Sequence, residues 1–137
     1  MNEQDQIGLV KQVYSYFQSG DIESMLKMMS DDIEWGLPTI ENVPFSGPRR
    51  GKEPVREFFR MLASEQDVLE FKPKEFIAQG EKVVSLGHYE WKTREGGHQY
   101  GSDWAHVFTI RNGKFVAFHE YTDTAAAAKA YKKGVMA

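Results

Sequence analysis

Three turn signals, Gly80-Glu81, Gly96-Gly97 and Asn112-Gly113, divide the second half of the chain into four long runs rich in β-branched and aromatic residues. Runs joined by turns this short fold back antiparallel on one another, so 69–79, 82–93, 99–111 and 114–123 read as the strands of a meander. A sheet with an apolar face needs a cover, and the first half of the chain supplies it. Ile7, Val10, Tyr14 and Phe17 recur at helical spacing until Ser19-Gly20 stops the helix. Asp21 caps a second helix with Ile22, Met25, Leu26 and Met29 on one side. After a short strand (33–37) and a Pro- and Gly-rich loop (38–51), Val55, Phe58, Phe59 and Leu62 mark a third. Helices followed by antiparallel strands predict an α+β domain in which three N-terminal helices pack on one face of a curved, mainly antiparallel sheet. The Ala125 to Ala128 run, with Lys129, Tyr131 and Lys132 behind it, reads as a short terminal helix without chemistry of its own.

The chain's 137 residues fit one domain with one core and room for a ligand cavity. No apolar run approaches the roughly 18 residues of a membrane span. The opening "MNEQDQIGLVKQ" has neither the basic start nor the apolar stretch of a secretory leader, which predicts a cytoplasmic setting. The absence of cysteine excludes disulfides, thiolate nucleophiles and thiolate metal sites. A formal charge of -3 without a basic stripe argues against a nucleic-acid partner. Small molecules and a second copy of the chain remain.

A two-residue turn at Asn112-Gly113 sets Arg111 opposite Lys114, and so Val107 opposite Phe118, Ala105 opposite Glu120 and Asp103 opposite Thr122. A turn at Gly96-Gly97 brings Leu86, His88 and Glu90 beside Val107, Ala105 and Asp103. One face then grades from apolar (Leu86, Val107, Phe118, with Val84 and Val116) to polar (His88, Glu120, Glu90, Asp103). The other carries Tyr89, Trp104 and Tyr121, with His106 beside His119. A one-residue slip would exchange the two.

If the first face is the covered one, Glu120 and His88 meet across the gap left by Ala105 as a general acid and base pair, Glu120 the base and His88 the acid or orienter. Glu90 and Asp103 would stand at the mouth, and Tyr14, Trp35, Leu37 and Phe118 would wall the pocket. A purely structural network between Glu120 and His88 is the open alternative. The aromatic face would be buried in a homodimer, since interface cores favour Tyr, Trp and Phe. His88, Glu90 and Glu120 could in principle gather a metal, but the set lacks the Cys and His content of a zinc site, and no metal is expected. "GPRRGK" at 47–52 lacks phosphate-loop spacing, and no nucleophile elbow occurs, so no cofactor is expected either.

The segments "YFQSGDIESMLKMMSDDIEW", "FSGPRRGKEPVREFFRML", "LGHYEWK" and "WAHVFTIRNGKFVAFHEYTDT" resemble the SnoaL-like, ketosteroid-isomerase-related proteins of the nuclear transport factor 2-like superfamily, and the resemblance spans almost the whole chain. It implies one domain over residues 1–137, a cone-shaped half barrel with a pocket between helices and concave sheet, and frequent dimerisation through the convex face. The activities it implies range over isomerases, cyclases and epoxide hydrolases, with non-catalytic binding or assembly modules besides. Steroid isomerases use an Asp base and an oxyanion hole of Tyr and protonated Asp. The Tyr position resembles Val13 here (next to Tyr14), the base position Leu37 and the acid position Ala105, which disfavours that reaction. Epoxide-hydrolase-like members place an Arg, an Asp and a second Asp where this sequence has His88, Glu90 and Glu120. The resemblance thus implies a cofactor-independent acid-base enzyme for a largely apolar substrate, or else a binding module.

Overall fold

A computed structural model describes residues 1–132. Helix α1 (Glu3–Ser19) starts at a capping box in which the Asn2 side chain accepts from the Asp5 amide and Asp5 accepts from the Asn2 amide. It ends at Gly20, whose φ of 77° gives the left-handed turn that a side chain would resist. Asp21 caps α2 (Ile22–Lys27) by accepting from the Ser24 amide at 3.1 Å, as the sequence predicts. Strand β1 (Met29–Gly36) begins earlier than expected, and the loop behind it contains a two-residue strand, β2 (Arg49–Arg50). In α3 (Lys52–Glu65) the four predicted apolar positions, Val55, Phe58, Phe59 and Leu62, are all buried.

Strands β3 (Gln66–Gln79), β4 (Lys82–Thr93), β5 (Gln99–Arg111) and β6 (Lys114–Thr122) form the predicted meander, and α4 (Thr124–Ala130) follows, capped by Asp123. The six strands make one open sheet in the order β2-β1-β6-β5-β4-β3, antiparallel except for the β1–β6 pair. Helix α1 packs on β3, α3 on β1, and α4 on β5. Among the described residues no helix is long and apolar enough to cross a membrane.

The register departs from expectation in two places, with different consequences. The β4–β5 loop is wider than a two-residue turn: Lys92 pairs with Gln99, the Thr93 amide donates to the His98 carbonyl at 2.8 Å, and Leu86 faces Ala105 rather than Val107. A shift of two leaves every side chain on the same face as its neighbour. The β5–β6 hairpin turns at Asn112-Gly113, both with positive φ (53° and 76°), but its ladder jumps from Ile110–Phe115 to Thr109–Ala117. Val116 is the extra residue. The Phe115 amide donates instead to the Met28 carbonyl at 2.9 Å, at the start of β1.

That bulge turns β6 over relative to β5. His106, not Ala105, therefore stands opposite Glu120, and Ala105 stands opposite Tyr121. Tyr89, Trp104 and His106 point into the core, whereas Tyr121 stays outside and is 62% exposed. The expected aromatic row does not exist as a surface, so it cannot be a dimer face.

Candidate active site

A cavity of about 100 Å³ lies between the helices and the inner face of the sheet. Its wall is mostly aromatic. Tyr14 and Phe17 come from α1, Trp35 from β1, Phe58 and Phe59 from α3, Phe71 from β3, Tyr89 and Trp91 from β4, and Phe108 and Phe118 from β5 and β6. Trp35 stacks on Phe118 with centroids 4.1 Å apart. The loop after β1 contributes Leu37, Phe45 and Ser46, and α4 contributes Ala127. Arg49 fixes that loop by donating to the carbonyls of Phe45 and Pro54.

Within this wall one polar chain crosses from helix to sheet. The His106 ring stands 2.8 Å from a Glu120 carboxylate oxygen through Nε2, and 2.7 Å from the Tyr14 hydroxyl through Nδ1. With Glu120 a carboxylate and the imidazole neutral, Nε2–H donates to Glu120, and Nδ1 accepts the Tyr14 O–H. With the ring proton on Nδ1 instead, a protonated Glu120 donates to Nε2, and Nδ1–H donates to the Tyr14 oxygen, which leaves the Tyr14 O–H for the cavity. The geometry fits both arrangements, which differ in what Tyr14 offers a ligand.

His106 is held from beneath by the Trp104 indole, stacked at 3.9 Å and 13°. Trp104 can lie there because β4 has a glycine at 87, where a β-carbon would fall 2.3 Å from the indole. Tyr89, bonded to Thr122 at 2.6 Å, stands next along the wall. Glu120 is the sole carboxylate among the described wall residues, and no Lys or Arg joins it.

Of the residues singled out from sequence, Tyr14, Trp35, Leu37, Phe118 and Glu120 line the cavity. His88, Glu90, Asp103 and Ala105 do not; they belong to the outer face, because the bulge separates their strands' faces from that of β6. His88 bonds Asp103 at 2.8 Å and also Glu90, and Lys72 pairs with Glu70 at 2.8 Å. Hydrogen bonds that the His88 ring donates to those carboxylates, Glu90 first and Asp103 second, raise its pKa above the ordinary value. Ligand atoms of Glu70, His88 and Glu90 lie within 4.8 Å of one another, but each side chain already has a partner in this surface network.

Sequence reasoning missed His106, Gln66, Tyr89 and Tyr100 as wall residues. The signal was present in the alternation of Trp104, His106 and Phe108, and of Tyr89 and Trp91, since bulky aromatics belong on the covered face.

The profile of the SnoaL-like domain matches residues 10–118, which spans all of these elements except α4 and the ends. The chain belongs to the SnoaL-like domain family. No curated protein matches it by sequence. Among solved structures, this SnoaL-like domain is similar to a nuclear transport factor 2-like protein from Burkholderia xenovorans, with 28% identity, 96% of this chain and 99% of that chain covered, and a TM-score of 0.88. TerC, co-crystallized with polyporic acid, is 29% identical over 91% of this chain and 96% of its own, with a TM-score of 0.76. A polyketide-cyclase-like protein from Xanthomonas campestris shares the fold at 19% identity, covering 96% of this chain and all of its own at 100%, with a TM-score of 0.77.

Burial raises the pKa of Tyr14, Tyr89, Tyr100 and Tyr131 far above the ordinary 10.0, and the nearby Glu120 charge adds to it for the first three. A group whose folded pKa is raised contributes stability in full below its unfolded pKa of about 10 and loses it as pH climbs towards the folded value. The urea midpoint is therefore expected to fall between about pH 9 and pH 11.5, with these four phenols ionising, by absorbance at 295 nm, only as the protein unfolds. Complete ionisation of all 6 tyrosines with circular dichroism intact would contradict their burial.

Proposed function

We propose that this SnoaL-like domain is a cofactor-independent acid-base enzyme acting on a neutral, largely apolar carbonyl compound. The observation that carries the reading is the Tyr14–His106–Glu120 chain, built into a cavity whose wall is otherwise mostly apolar. Glu120, oriented by His106, removes a proton from carbon next to the carbonyl. The C–H bond breaks, its electron pair passes into the enolate, and the proton rests on the carboxylate. A hydroxyl on the wall, Tyr14 foremost, meets the enolate oxygen. The proton then returns to the same or a neighbouring carbon, or the enolate attacks an internal electrophile, which gives isomerisation or cyclisation.

Tyr14 acts as a donor and not as a base, because burial holds its proton on. The lack of a wall cation disfavours an anionic substrate, whose charge would meet Glu120 uncompensated. TerC's co-crystal with polyporic acid supports a small organic molecule as the kind of ligand.

Solvent deuterium exchange tests the reading. Cyclic ketones such as 2-tetralone, incubated with the protein in D2O, are expected to gain deuterium at the activated carbon faster than in buffer. Binding without accelerated exchange would favour the other role, a ligand-binding module.

The protein also acts, on this reading, as a homodimer through the outer sheet face, where Ile77 and Tyr121 are 57% and 62% exposed. Tyr121→Glu is expected to shift sedimentation towards monomer, and a monomeric wild type at micromolar concentration would refute the assembly.

A further inference from the structure

At the α4 end of the cavity a second polar group stands apart from the Tyr14–His106–Glu120 chain. Gln66, the first residue of β3, is 3% exposed and lines the cavity. Its Oε1 accepts from the Tyr100 hydroxyl at 2.8 Å and from the Tyr131 hydroxyl at 2.6 Å. Both lone pairs of the amide oxygen are thereby used, and what the side chain has left to offer is its NH2 group.

One hydroxyl would suffice to tie α4 to the sheet. The second locks the carboxamide's rotation and fixes which end can serve a ligand. Tyr100, its cavity-wall partner, also feels the charge of Glu120, so the two polar groups lie within electrostatic reach of each other across the cavity. Phe45, with its ring centroid 5.7 Å from that of Tyr131, and Trp91, paired with Tyr100 across β4 and β5, are aromatic wall at the same end.

We infer that Gln66, fixed by Tyr100 and Tyr131, forms a second binding subsite that donates from its amide nitrogen to an acceptor oxygen on the substrate, and that the substrate is a neutral aromatic compound with a second carbonyl or ether oxygen remote from the reacting one. This rests on the cavity being the ligand site proposed above and adds the second oxygen. A carboxylate at that position is disfavoured by Glu120, and a hydrocarbon end would leave the amide donors without an acceptor in an aromatic wall.

Calorimetric titration with 1,4-naphthoquinone, which has carbonyls on opposite edges of one ring, and with 1-tetralone, which has one, tests the subsite. The protein has no cysteine for the quinone to alkylate. Wild type is expected to bind the quinone roughly tenfold more tightly, the worth of one buried neutral hydrogen bond. Gln66→Met, close to it in size and without a donor, should remove that advantage by weakening quinone binding more than 1-tetralone binding. Should that variant melt early, Tyr100→Phe, which frees the amide to rotate, should narrow the same ratio. Equal affinities in wild type, or an advantage that survives both substitutions, would overturn the subsite and leave the acid-base reading standing. Failure of wild type to bind either compound would overturn the cavity reading itself, and the subsite with it.

Discussion

Glu120→Gln is expected to lower the proposed acceleration of exchange by about 10²–10⁴-fold, the usual contribution of a positioned general base, with ketone affinity changed little. The substitution is close to isosteric. Its amide oxygen can still accept from His106 Nε2–H, so the imidazole, its stacking on Trp104 and its bond to Tyr14 can stay in place. What is lost is the lone pair that takes the proton. Trp35 and Trp91 on the wall report binding by fluorescence, which separates a dead but occupied cavity from an empty one. Loss of binding together with rate would mean that Glu120 holds the ligand and does not act on it.

The second large effect is on stability. Gly87→Ala is expected to destabilise the fold by roughly 1–3 kcal/mol, as overpacking of a filled core does, and to unseat Trp104 from His106. A β-carbon at 87 would lie 2.3 Å from the Trp104 ring and 2.5 Å from the Lys72 carbonyl of the neighbouring strand; the latter is backbone and cannot swing aside. Gly8, on the exposed side of α1 with nothing within 4 Å, is the control. Gly8→Ala should stabilise, by up to about 1 kcal/mol. Urea unfolding measures both. A neutral Gly87→Ala would mean that Trp104 is not packed against β4, and the positioning of His106 would need another explanation.

Much of the fold was legible because its signals are local. Val55, Phe58, Phe59 and Leu62 state their helix and its buried side without help, and Gly20 with Asp21 punctuates α1 and α2. The strand limits 82–93 and 99–111 agree with β4 and β5 residue for residue. Of the candidate site, the place of Glu120 on the cavity wall was legible and that of its neighbour His106 was not. Around the bulge the sequence runs Val107, Phe108, Thr109, Ile110 and then Phe115, Val116, Ala117, Phe118, apolar on both faces but for Thr109, so alternation gives no sign of one extra residue there. The cause lies outside the hairpin: β1 runs parallel to β6, and Met28 accepts the Phe115 amide. No inspection of two strands alone contains that contact. The role of α4 was hidden for a similar reason, because Tyr131 gains meaning only beside Gln66, which is 65 residues away in the chain.

The central claim is that the chemistry resides in the inner chain of Tyr14, His106 and Glu120 and not in the outer network around His88. Deuterium incorporation into 2-tetralone, measured side by side for wild type, His106→Asn and His88→Asn, tests it most directly. The account predicts exchange well above buffer for wild type, a loss of at least about tenfold in His106→Asn as Glu120 loses its orienting partner, and an unchanged rate in His88→Asn. Wild-type exchange no faster than buffer although the ketone binds, or a loss in His88→Asn equal to that in His106→Asn, would contradict it.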